Sequence, residues 1–151
     1  MKFNIFLSAA ITVVFMSGCT SVPWITPPAT NYDVVNTKSY EKPFDKVWGN
    51  VLAFSAKYGM ILKDVDKSNG LINAEITAFE DDIADCGKDA SMNVTERRGI
   101  VNVFVNREEN AVVVTVNIEL KESRIMMTAA TTTTCSSKGV LEARILEIAG
   151  A

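Results

Sequence analysis

Histidine is absent from the 151 residues. That absence removes the commonest general base, the commonest activator of a nucleophile and the commonest transition-metal ligand. Cysteine is scarce: Cys19, Cys86 and Cys135 are the only three, and none forms the C-x-x-C spacing of a zinc or redox motif. Clustered positive charge is also missing. Fifteen Lys and Arg stand against 18 Asp and Glu, for a net charge of -3, and the single adjacent basic pair, Arg97-Arg98, follows Glu96. A phosphate-binding stripe needs clustered cations, so no nucleic-acid partner is expected. No apolar run reaches the ~20 residues that span a bilayer. What is present, 48% apolar and 22% charged residues with a mean hydropathy of +0.15, is the composition of an ordinary globular protein, and the length suits one domain.

The N-terminus carries an address. Met1-Lys2 is a short basic start, and the largely apolar run Ile5 to Met16 has the length of a signal-peptide h-region. Met16-Ser17-Gly18-Cys19 follows. This stretch resembles the bacterial lipoprotein signal, whose lipobox ends in a small residue followed by Cys. Ser17 and Gly18 match it, while Met16 stands where the family usually has Leu. The resemblance implies that residues 1–18 are removed and that the Cys19 sulfur receives a diacylglyceryl group. Acylation at three positions of the new N-terminus would hold the chain far more firmly than the marginal binding of one acyl chain. Thr20 follows in place of Asp, which by the same resemblance implies the outer membrane, with the domain facing the periplasm or the cell surface.

Residues 19–38 read as a flexible tether, because Pro23, Pro27 and Pro28 among Thr, Asn and Ser disfavour helix and central strand. Trp24 and Ile25 read as an incidental apolar pair, or as a docking point for a partner or the lipid interface. Residues 39–151 read as a single α+β domain. Phe44, Val47, Trp48, Val51, Leu52 and Ser55 predict one helical face behind Pro43, ended by Gly59. "MILKDVD" and "LINAEITAF" predict two strands joined through Asn69-Gly70. "GIVNVFVN" and "AVVVTVNIELK" predict a hairpin, with Val112, Val114, Val116, Ile118 and Leu120 on its buried face. "RIMMTAATTTTC" predicts a further strand. The last helix is expected to bury Val140, Leu141, Ile145 and Ile148. The sum is an antiparallel sheet of about five strands against two helices, a two-layer sandwich. This order, with "PFDKVW" and the Gly that follows it, loosely resembles the helix-grip domains of small bacterial envelope lipoproteins, such as the lipoprotein C component of the outer-membrane β-barrel assembly machine.

Cys86 and Cys135, an even pair in an exported chain, predict a disulfide. Glu80, Asp81, Asp82, Asp85 and Asp89 crowd one loop, but without the calcium-loop spacing; a solvated acidic loop is the expectation, with no metal and no cofactor. Ser136 or Ser137 is expected to cap the last helix rather than to act with Lys138 in catalysis. Met126 and Met127 are expected to fill core gaps or to line an apolar groove, one that would include Trp48. No acid–base–nucleophile set is evident. A non-enzymatic envelope module that engages a protein partner is therefore expected, or else one that binds a small apolar or lipid ligand between sheet and helices.

Overall fold

The computed structural model describes residues 25–28, 32–127 and 129–151; residues 1–18, Cys19 and Trp24 lie outside them. The apolar stripe of the first helix does what its spacing predicts. α1 (Phe44–Lys57) buries Phe44, Val47, Trp48, Val51 and Ser55, with Leu52 half-buried at the margin. Pro43 is its N-cap, and Gly59 follows the helix at φ +74, the left-handed conformation glycine adopts without steric cost.

The short strands β1 (Ile25–Thr26) and β2 (Thr37–Tyr40) precede α1. β3 (Ile61–Asp66) and β4 (Leu71–Ile76) follow it, then the two-residue strands β5 (Ala84–Asp85) and β6 (Lys88–Asp89). β7 (Asn93–Arg107) and β8 (Val112–Met126) form a hairpin of 15-residue arms, and β9 (Ala129–Ser137) leads to α2 (Val140–Ala149). The main sheet is antiparallel and runs β3-β4-β7-β8-β9-β5, with β2 also pairing β8. β2 takes the first part of β8's outer edge (residues 112–115) and β9 the last part (residues 120–126).

Strand alternation places Ile72, Ala74 and Ile76 of β4, Val101, Val103 and Val105 of β7, and Val112, Val114, Val116 and Leu120 of β8 on one face. Both helices cover that face. Each of these side chains contributes about 1.5–3 kcal/mol by leaving water if it is as large as Val or Leu. The C-terminal end is tied down by polar bonds as well. The Tyr40 hydroxyl donates to the Leu146 carbonyl and Lys42 donates to the carbonyls of Gly150 and Ala151.

Four expectations need correction. The sheet has seven strands rather than about five, because β2 and β5 join it. Part of the expected tether is paired: Ile25–Thr26 lies antiparallel to Lys88–Asp89, and β2 starts at Thr37. Gly87 makes the first pairing possible, since a Cβ there would lie 2.2 Å from the Thr26 carbonyl oxygen. The strand predicted from "RIMMTAATTTTC" is two strands joined by a turn after Met126. α2 is rotated from its expected face: Leu141, Glu142, Ile145, Leu146 and Ala149 are buried, while Ile148 is 37% exposed. Ile148 instead borders an outer groove with Phe54 and Tyr58 of α1, and the small Ala149 takes the inward position.

The β3–β4 turn is built around one carboxylate. Asp66 accepts hydrogen bonds from the Ser68 amide (2.9 Å), the Ser68 hydroxyl (2.5 Å), the Asn69 amide (3.0 Å) and the Asn69 side chain (2.6 Å). These bonds, that from the Ser68 hydroxyl foremost, hold its pKa at about 2, below the ordinary 3.8. Gly70 closes the turn at φ +67, with no room for a Cβ beside the Val105 carbonyl. A carboxylate whose pKa falls on folding stabilises the fold above its unfolded pKa, and that stabilisation fades as pH drops through the folded pKa. Urea midpoints of the native chain should therefore fall between roughly pH 4 and pH 2. The Asp66→Asn variant should show a shallower fall over that interval.

Candidate functional site

The alternation that builds the core of β8 continues past Leu120 into charge. Glu122 and Arg124 occupy the same face and are buried. Arg97, on the neighbouring strand, joins them. Its Nε donates to Glu122 Oε2 at 2.7 Å, while Arg124 Nε donates to Glu122 Oε1 at 2.5 Å. One carboxylate thus serves two guanidinium groups. Burial works against the Arg97 charge, but bonds to Glu122 and Asp81 overcome this and raise its pKa.

The free ends of both arginines hold the loop that covers them. Arg124 Nη2 donates to the carbonyls of Cys86 (2.9 Å) and Gly87 (2.8 Å). Arg97 donates to the Phe79 carbonyl at 3.2 Å and to Asp81 at 2.6 Å. The Cys86–Cys135 disulfide, across 49 residues of sequence, fixes the same loop to β9. Lys138 Nζ donates to the Asp81 carbonyl at 2.6 Å and its amide to the Ile83 carbonyl. A cavity of about 500 Å³ beside the network is lined by Asp81, Asp85, Lys88, Arg97, Glu122 and Arg124, among others. Both Glu122 oxygens are already bonded by cations, so the cluster reads as a clamp rather than a reactive centre.

The acidic residues of the loop go to different partners. Asp81 pairs with Arg97, Asp82 with Arg144, and Asp89 accepts bonds from Ser91. Asp85 accepts from the Tyr32 hydroxyl at 3.0 Å and the Gly87 amide at 2.8 Å. Among the described residues no group of three acids, cysteines or histidines is placed to hold a metal ion. Ser136 and Ser137 do not cap α2. Gly139 is the N-cap, and its amide donates to the Ser137 hydroxyl at 3.1 Å. Met126 and Met127 neither fill the core nor share a groove with Trp48. They sit at the tip of the β8–β9 hairpin, 41% and 94% exposed, whereas Trp48 is buried on the inner face of α1.

Among the described residues, the opposite face of the sheet carries no helix. Strand register places Asn73, Asn102 and Asn117 in one row across β4, β7 and β8. Asn73 donates to Asn102 at 2.6 Å, and Asn36 donates to Asn117 at 3.3 Å. The adjacent row is Glu75, Ile100 and Glu119, and the next holds Arg98 and Lys121. A shallow cavity of about 470 Å³ lies over these rows, bordered also by Lys63, Ser123 and Thr132. Its charges are matched locally, Lys63 with Glu75 at 2.6 Å, Arg98 with Glu96 at 2.7 Å and Lys121 with Glu119 at 2.7 Å. Ile100 is 45% exposed at its centre, and Phe104 is exposed beyond the asparagine row.

Sequence reasoning missed Glu122, Arg124 and Glu142 as interior residues, and the half-buried Arg97 as the partner of Glu122. For Glu122 and Arg124 a signal existed: both continue the even-numbered alternation from Val112. No family model matches the chain, and no curated protein matches it in sequence.

Two stability tests follow. Replacing both Cys86 and Cys135 by Ser should lower the urea-derived stability by about 4 kcal/mol, the loop-entropy value for some fifty residues. Glu122→Ala should cost about 3–5 kcal/mol by stranding buried guanidinium charge. The double change Glu122→Leu with Arg124→Met should recover part of that loss. Equal losses in the single and double variants would assign the effect to packing alone.

Proposed function

We propose that this chain is a lipid-anchored module of the cell envelope, in the outer membrane with its domain in the periplasm or at the cell surface. It engages a protein partner through the helix-free face of its sheet and catalyses no reaction. The observation that carries the partner reading is the exposure of Ile100 and Phe104 on β7, one on each side of the asparagine row, among the locally paired charges of β4, β7 and β8. An apolar centre with a polar, charge-matched surround is the anatomy of a non-obligate interface. The anchor rests on Ser17-Gly18-Cys19 behind the apolar run, and the Cys86–Cys135 bridge suits an oxidising compartment.

Binding of an apolar ligand between sheet and helices has less support. Val47, Val51, Val114 and Leu141 fill that space, and the residues expected to line a pocket, Trp48 and Met126, lie apart.

Cells labelled with radioactive palmitate should label the wild-type chain and leave Cys19→Ala unlabelled and soluble. A photo-crosslinking residue at position 100 should yield a discrete protein adduct in intact cells, and one at Lys57, on the outer side of α1, should not. Crosslinks from both positions alike would count against the sheet face.

A further inference from the structure

The outer edge of β8 is shared by two strands that do not meet. β2 pairs it at residues 112–115, and the Asn36 carbonyl takes the Val116 amide at 2.8 Å. β9 resumes the pairing at Leu120. Between them, residues 117–119 have no strand partner on that side among the described residues. Ile118, two residues beyond Val116, turns its amide and carbonyl the same way. A cleft of about 370 Å³ opens in this fork, lined by Tyr32, Val34, Asn36, Asn117, Ile118, Ser136, Ser137 and Glu142.

Glu142 is the unusual member. It occupies the third position of α2, where a glutamate commonly reaches back to the amide of the N-cap residue. Here that amide, on Gly139, donates to Ser137 instead. Glu142 is 3% exposed, and its Oε2 is buried with no hydrogen-bond partner among the described residues. The nearby cations are engaged elsewhere, Lys138 with the Asp81 carbonyl and Arg144 with Asp82. An ionised carboxylate only accepts hydrogen bonds, and leaving it unpaired in the interior is costly. The remaining lining groups are neutral, namely the hydroxyls of Ser136 and Ser137, the amides of Asn36 and Asn117, and the Tyr32 phenol, which already donates to Asp85.

We propose that the fork is a binding site for a primary ammonium group. With the Glu142 carboxylate rotated into the cleft, its Oε2 would accept one N–H, and the serine hydroxyl oxygens and the Ile118 carbonyl would accept the others. These acceptors are single oxygens on a helix and two strands rather than the paired oxygens of one planar group. Three diverging donors suit such a set better than the flat fork of a guanidinium. The site lies in the fork beside β8 and borders the helix-free face at Asn36 and Asn117.

The test is a titration of the ¹⁵N-labelled chain with n-butylammonium and, as its neutral counterpart, butan-1-ol, followed by NMR at the amides of Ile118, Ser137 and Glu142. Saturable shifts with n-butylammonium alone are expected, and Glu142→Gln should weaken them about tenfold or more. An equal response to butan-1-ol, a preference for n-butylguanidinium, or unchanged affinity in a folded Glu142→Gln would overturn the proposal. So would the absence of saturable shifts with n-butylammonium. The comparison of probes on the wild-type chain decides the matter even if the variant does not fold. Acetyl-Gly-Lys-Gly-amide distinguishes the sources. Tighter binding than n-butylammonium assigns the natural group to a partner's lysine, and weaker binding assigns it to a small amine, either result being consistent with the site.

Discussion

The pairing of β7 with β8 decides which side chains meet the helices. Val101 stands opposite Ile118, Val103 opposite Val116 and Val105 opposite Val114. A slip of one residue would turn that whole set to solvent and bring Asn102, Asn117 and Glu119 beneath α1 and α2. The same register continues beyond the helices, where it brings Arg97 beside Glu122. One hairpin therefore specifies an apolar half and a charged half of a single face. The first half is covered by helices and the second by the disulfide-bound loop.

The two halves are held by different physics. Over the helices, burial is non-directional, and modest changes of side-chain shape are tolerated. Under the loop, two arginines and one glutamate fix positions through directed bonds to the carbonyls of Phe79, Cys86 and Gly87. A loop with few large apolar residues cannot form a substantial core of its own. Its Phe79 and Ile83 are buried, and the ionic clamp with the Cys86–Cys135 bridge completes its attachment.

Sequence periodicity made much of this visible. The stripe from Phe44 to Ser55 and the alternation from Val112 to Leu120 each follow from geometry, and both are found in the fold. The N-terminal arm of β7, Asn93 to Arg98, was not legible, because its polar residues resemble a loop until their partners on β8 are known. Glu142 was hidden for a related reason. Helical spacing places it beside Leu141 and Ile145, but a carboxylate is not expected inward unless something faces it. The α+β class and the cysteine bridge could be read directly. The helix-free face could not, since Asn73, Asn102 and Asn117 are 15 or more positions apart and become a row only through strand register.

The pairing of Ile25–Thr26 with Lys88–Asp89 changes the geometry that an anchored chain would have. Five residues lie between Cys19 and Ile25, six Cα steps with a contour of roughly 20 Å at full extension. A proline-rich spacer counted to residue 38 would let the domain roam much farther from the bilayer. Pinned at β6, a lipid on Cys19 would instead keep the loop end of the sheet within a headgroup layer or two of the surface.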